Sequence, residues 1–354
     1  MKNQQNRTPG RGGVSRRSFI KGMGMAAAAV VAAPAILKGD DVKTVTVGSG
    51  DHKYEWIGNW CKLPDGHKYG NTHGVQTDSQ GRMIVHSQNA SPDSVYFFDA
   101  DGKYIKSWGK EYRGGAHGLQ IAKEGNTEFL YLATTGQHIV VKTTLEGEVV
   151  WKIEFPKDCE AYKGKPDKFV PTNVAIMPNG DFYVADGYGM SYVHQYSQKD
   201  GKPEYVRSWG GNGKEPGKMS CPHGIWIDTR NGDPKIVVAD RSNVRLQYFT
   251  LDGKHISFVT EELRHPCHFD DYKGELLVPD LRGRVTLFDK NNKLITHLGD
   301  NVDPKKWAGN GVPQKDWVDG QFIAPHGACY DKDGNIFVAE WVVPGRVTKL
   351  KRIV

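Results

Sequence analysis

One pattern constrains this chain more than any other: a short β-rich run recurs six times, at residues 82–86 (RMIVH), 129–133 (FLYLA), 182–186 (FYVAD), 236–240 (IVVAD), 276–280 (LLVPD) and 336–340 (IFVAE). Each run carries the β-branched and aromatic residues that suit a pleated strand. A third strand follows in each unit, for example 95–98 (VYFF), 192–196 (YVHQY) and 245–249 (RLQYF). Turns at Asp101-Gly102, Glu146-Gly147, Asp200-Gly201 and Asp252-Gly253 then lead into a fourth strand, of which 104–109 (YIKSWG) and 205–210 (YVRSWG) are near copies. Glycine there supplies the positive φ of a tight hairpin. Four antiparallel strands in about 53 residues, six times over, predict an all-β, six-bladed β-propeller. The last unit lacks its outer strand, whereas residues 54–60 (YEWIGNW) read as an outer strand with no blade before them. This N-terminal strand is expected to complete the last blade and close the ring, which removes the sheet edges that invite aggregation.

The first 35 residues read as an address. Ser15-Arg16-Arg17-Ser18-Phe19-Ile20-Lys21 precedes an apolar run of about 14 residues ending in Ala33-Pro34-Ala35, too short to span a bilayer and similar to a twin-arginine signal with an A-x-A cleavage site. The expected domains are a signal over 1–35 and the propeller over 36–354, with a periplasmic or secreted product and no stable membrane insertion. Six of the 47 basic residues and none of the 41 acidic ones lie in that segment. The body is therefore neutral, and its composition implies no nucleic-acid partner. The five cysteines are odd in number, widely spaced and form no C-x-x-C pair, so buried free thiols are expected, without a disulfide framework or zinc ribbon.

In a propeller the first strand of each blade lines the central channel, so residues at its start meet on the axis. Here those positions hold His73, His117, Asn173, His223, His268 and His326, with His265 an alternative to His268 in blade 5. His117, His223 and His326 belong to blades 2, 4 and 6, about 120° apart, and would converge as a facial triad. Three neutral imidazoles with an open fourth position are a catalytic zinc set, although imidazole also suits copper, nickel and iron. His73, Asn173 and His268 form the rival alternate set, as channel-lining groups or as the metal set itself. A packing role is the plainer reading of any single histidine.

Repeat and histidines together resemble the NHL-repeat propellers and, more narrowly, the lyase domain of peptidylglycine α-amidating enzymes, which cleaves peptidyl-α-hydroxyglycine into an amidated peptide and glyoxylate. The resemblance implies zinc on His117, His223 and His326. It also implies a catalytic tyrosine at Tyr188, in Asp186-Gly187-Tyr188 after Pro171-Thr172-Asn173, and an anion-binding arginine at Arg241, in Ala239-Asp240-Arg241. Beside zinc and Arg241, Tyr188 is expected to have a lowered pKa and to act as a general base. Departures accompany it. Ser87 stands near the family's second arginine, Gly327 replaces the aspartate linked to a structural calcium, and Phe169 with Gly189 and Val237 with Tyr248 occupy the positions of its two disulfides. Neither the calcium nor the substrate carries over.

The expected function is a metal-dependent lyase or hydrolase, acting as a monomer on a small-molecule or peptide substrate. The alternative is a non-catalytic NHL propeller binding a protein, peptide or glycan. The Val-Ala-Asp strand ends and Trp60, Trp108, Trp151 and Trp209 read as capping and blade packing. Residues 210–218 fail the phosphate-loop pattern, because Asn212 and Met219 replace the required Gly and Ser/Thr. The inserts near 157–168 and 301–322 are expected as loops at the active-site mouth.

Overall fold

The computed structural model describes residues 44–353, so the signal expected over 1–35 lies outside the described residues. Six antiparallel sheets follow one another along the chain. Blade 1 runs Asn71–Thr77, Met83–Gln88, Val95–Phe98 and Tyr104–Trp108. Blades 2 to 5 repeat the order, starting at Ala116–Glu124, Asn173–Ile176, Pro222–Asp228 and Asp270–Tyr272. Each of the six β-rich runs forms its blade's second strand, as the repeat predicts.

Blade 6 comprises Pro325–Tyr330, Ile336–Glu340 and Arg346–Ile353 and is completed from the other end of the chain. Strand His52–Ile57 pairs with Arg346–Ile353 in the register Trp56↔Leu350 and closes the ring. Two details differ from the expectation. The closing strand stops at Ile57, where Gly58 and the left-handed Asn59 (φ 50°) turn the chain. A fifth strand, Thr46–Ser49, adds outside it.

Apolar side chains pack mainly between blades. Val75, Val85 and Phe98 of blade 1 meet Cys329, Phe337 and Val347 of blade 6 in one buried cluster. On the outer rim a tryptophan of one blade lies under a hairpin turn of the next. A Cβ at Gly102, Gly147 or Gly253 would stand 2.5–2.8 Å from an atom of Trp60, Trp108 or Trp209, and all three turns have positive φ. Glycine is thus required there twice over, by backbone and by contact. All five cysteines are free thiols, four buried and Cys221 half-buried.

Candidate metal centre and active site

Five of the six slot residues sit at the start of a first strand, and His268 sits just before its own, Asp270–Tyr272. His73, His117, Asn173, His223, His268 and His326 line one small central cavity of about 10 Å³, room for about one ion or water. Any substrate must therefore sit above the ring. His265 does not enter it; its carbonyl accepts from Leu281 N at 3.0 Å, so His268 fills the blade 5 slot.

A local device aims four of the histidines inward. The first strands of blades 1, 2, 4 and 6 lose register at the histidine, between Thr72 and Gly74, Ala116 and Leu119, Pro222 and Ile225, and Pro325 and Gly327. Such bulges re-aim a side chain beside a functional site. The glycine after the histidine lets the next blade come close. A Cβ at Gly118, Gly224 or Gly327 would lie 2.5, 2.6 or 2.4 Å from the carbonyl oxygen of Thr172, Cys267 or His73. Those same oxygens accept from Nδ1 of His117 at 2.8 Å, His223 at 2.8 Å and His326 at 3.1 Å. Because a carbonyl only accepts, each Nδ1 carries the proton and each Nε2 presents a lone pair, the arrangement metal-binding histidines adopt.

The three rings form a triangle of centroids 4.7 Å on every side. Nε2 of His117 and of His223 lie 3.3 and 3.1 Å from the Tyr188 hydroxyl, while Nε2 of His326 is buried without a partner among the described residues. Three imidazole lone pairs thus face this region with one hydroxyl hydrogen between two of them and none on the third, although the donor atoms of these three histidines do not fall together in one group within 4.8 Å. Buried acceptors left unsatisfied call for a cation. This donor set fits a metal ion. Burial holds all three imidazoles well below their ordinary pKa, reinforced chiefly by His73 for His117 and His326, and by Arg241 for His223. They therefore stay neutral and able to ligate.

The rival set behaves differently. Asn173 Oδ1 accepts from Val174 N at 2.8 Å, which orients its Nδ2 to donate to His268 Nδ1 at 2.6 Å. His268 spends its lone pair on that bond and points Nε2 toward the Gln120 side chain at 3.3 Å. His73 turns Nδ1 to the Asn71 carbonyl of its own strand at 3.0 Å. Donor atoms nevertheless gather in two overlapping triplets, each within 4.8 Å: His73, His117 and His326, and His223, Cys267 and His326. The ring triangle and the donor triplets divide the histidines differently, and His326 belongs to every grouping. Cys267 was not among the expected site residues; a lone cysteine beside His268 carries no motif.

Tyr188 and Arg241 stand over this ring. Tyr188, in the turn after Phe182–Asp186, leaves 43% of its surface open while its hydroxyl reaches down to the histidines. Arg241 Nη2 donates to that hydroxyl at 3.3 Å, and its guanidinium lies 5.2 Å from the ring centroid. Burial pushes the tyrosine up to about 12 despite Arg241. The lowered value expected beside zinc is therefore not produced by the protein's own charges.

Neither residue is paired with the strand-end acids. Asp186 accepts from Val170 N and Met190 N at 2.6 Å, and Asp240 accepts from Ser220 N at 2.6 Å and Arg245 Nε at 2.6 Å. Glu340 takes Ile323 N at 2.7 Å. These acids cap the loops entering their own blades. Ser87, at the same position in blade 1, is buried and donates to the Tyr69 and Asn71 carbonyls, so it cannot hold a ligand. The insert near 301–322 does lie at the mouth, its Ala308, Val312 and Trp317 packing beside Cys267, Ile323 and Val342.

No family model matches the chain. It is 31% identical over 271 residues to peptidyl-alpha-hydroxyglycine alpha-amidating lyase 1 of Drosophila melanogaster, covering 71% of this chain and 47% of the fly protein. It is 24% identical over 319 residues to peptidyl-glycine alpha-amidating monooxygenase of Mus musculus, covering 81% of this chain and 30% of the mouse protein. The chain thus spans less than half the length of these curated relatives. Among solved structures, a gluconolactonase from Xanthomonas campestris superposes with a TM-score of 0.60 at 11% identity, over 88% of this chain and 95% of that one. Virginiamycin B lyase from Staphylococcus aureus does so at 0.55 and 15%, over 85% and 100%. These two likenesses concern the fold alone. In sequence the chain resembles the amidating lyases, and in architecture it is a six-bladed β-propeller.

Proposed function

We propose that this protein is an exported, metal-dependent lyase of the amidating-lyase type, active as a monomer in the periplasm or outside the cell on a small-molecule or peptide substrate. The observation that carries the reading is the packing of the His117, His223 and His326 rings, with centroids 4.7 Å apart on every side, beneath Tyr188 and Arg241, with the His326 Nε2 buried and unpartnered among the described residues. His117, His223 and His326 would hold the ion, with zinc the first candidate. When bound, such an ion supplies Lewis-acid polarisation of a substrate hydroxyl.

The chain's own residues do the rest. Tyr188, held between two imidazoles and the guanidinium, moves the proton of the substrate's α-hydroxyl. As the C–O bond becomes a carbonyl the C–N bond breaks, and the departing amide nitrogen gains a proton. Arg241 binds the single anionic group of the substrate; the buried Ser87 adds no second anion site, which favours a substrate with one carboxylate over a longer acidic peptide end.

The test is the metal content of protein purified from the exported fraction, followed by glyoxylate release from a peptide ending in α-hydroxyglycine. About one tightly held ion per chain, lost together with glyoxylate release in His223→Ala, supports the lyase. Metal-free protein of unchanged stability, with no glyoxylate release, would establish instead the non-catalytic propeller that binds a protein, peptide or glycan on one face.

A further inference from the structure

Arg241 poses a problem that the histidines alone do not solve. It is 9% exposed, and among the described residues its Nε has no partner and it faces no carboxylate. Its polar neighbours are the Tyr188 hydroxyl, Cys221 Sγ at 3.2 Å from Nη2 and Cys267 Sγ at 3.9 Å from Nη1. A divalent ion on three neutral imidazoles would add two more positive charges beside this buried one. Concentrating like charge in a low-dielectric pocket is costly unless an anion joins it.

The second donor triplet supplies the anion. Cys267 is 1% exposed, and its Sγ lies within 4.8 Å of donor atoms of both His223 and His326, the latter carrying the unpartnered Nε2. The same residue's carbonyl fixes the His223 tautomer at 2.8 Å, so this backbone hydrogen bond holds the Cys267 residue and the imidazole together. Resting on the metal-site reading above, we infer that Cys267 is a fourth, sulfur ligand of the ion, giving a mixed imidazole–thiolate centre in which the thiolate also balances Arg241. Coordination removes the thiol proton, which now lies toward the His265 carbonyl at 3.5 Å, and releases it to solvent as the metal–sulfur bond forms. The soft donor narrows the choice of ion toward zinc or copper and away from magnesium, calcium and manganese. It also makes the resting site closed, so substrate must displace the thiolate or enlarge the coordination shell.

Cobalt(II) tests this without any substrate. The purified full chain, stripped with a chelator and given one equivalent of Co²⁺, should show ligand-field bands of a tetrahedral site together with a thiolate-to-cobalt charge-transfer band, and about one extra proton released per ion. Cys267→Ser should lose the charge-transfer band and weaken cobalt retention by more than the roughly 10–100-fold that loss of a supporting partner costs. Cys221→Ser should keep the band. Stoichiometric cobalt in the unaltered protein without that band overturns the sulfur ligand and leaves the histidine site standing. A band lost in Cys221→Ser but kept in Cys267→Ser overturns the assignment to Cys267. No cobalt binding at all would overturn both the ligand and the metal-site reading beneath it.

Discussion

Blades 2, 4 and 6 and blades 3 and 5 fill the same slot on the axis and use it in opposite ways. In the even blades a histidine on a bulge gives its Nδ1 proton to the next blade's backbone and turns a lone pair inward. In blades 3 and 5, Asn173 and His268 satisfy each other, 2.6 Å apart. Blade 1 lies between: His73 has the bulge and Gly74, but the nearest carbonyl of the next blade, that of His117, is 3.3 Å from the glycine's Cβ position, and the ring bonds its own strand instead. The difference teaches that which nitrogen a repeated histidine turns inward is set by the hydrogen bond on its far nitrogen, which depends on how closely the neighbouring blade approaches.

The strongest test of this contrast removes the rings themselves. His117→Ala and His326→Ala should each abolish stoichiometric metal, measured by elemental analysis, while His268→Ala and His73→Ala keep it. Metal lost with His73 and kept without His223 would reverse the assignment and favour the triplet of His73, His117 and His326. Tyr188→Phe comes next: metal and fold retained, with kcat down by about 10²–10⁴ as for loss of a proton-transfer group. Full turnover in that variant would remove the tyrosine from the chemistry.

A smaller effect isolates the close approach between blades. Gly118→Ala and Gly224→Ala press a methyl against the next blade's backbone, and each should destabilise the fold by about 1–3 kcal/mol in chemical denaturation and loosen the ion. The same change at Gly74 meets the Leu119 side chain first, and should disturb the ion less than the other two. Equal metal loss at all three positions would break the distinction between blade 1 and the even blades. Smallest of all, Asn173→Ala leaves His268 without its donor and should cost about 1 kcal/mol of stability with metal content unchanged.

Much of this was legible beforehand, and for one reason. Strand pattern, turn glycines and the slot on the axis are local properties repeated six times, so the period exposes them even where a single blade is ambiguous. The closing strand was legible as the missing member of the last unit, although its end at Ile57 and the extra strand Thr46–Ser49 were set by the Asn59 turn and by edge pairing. His86, buried beside the ring with Nδ1 3.2 Å from the Gly118 carbonyl, escaped notice. It lies on a second strand, outside the slot that the repeat marks.

By itself the sequence determined the propeller, its closure and five of the six residues that face the axis, with His265 and His268 left as alternatives for the sixth, because these follow from periodic patterning along the chain. Tertiary structure alone decided which nitrogen of each histidine points inward, that Asn173 and His268 consume each other's hydrogen-bonding capacity, and that Cys267 joins His223 and His326 beside an arginine without a carboxylate. Those outcomes depend on gaps of a few tenths of an ångström between blades whose residues lie tens of positions apart, for example 55 for His117 to Thr172 and 44 for His223 to Cys267. Contacts of that kind select hydrogen-bond partners by distance and direction, and no one-dimensional pattern carries either.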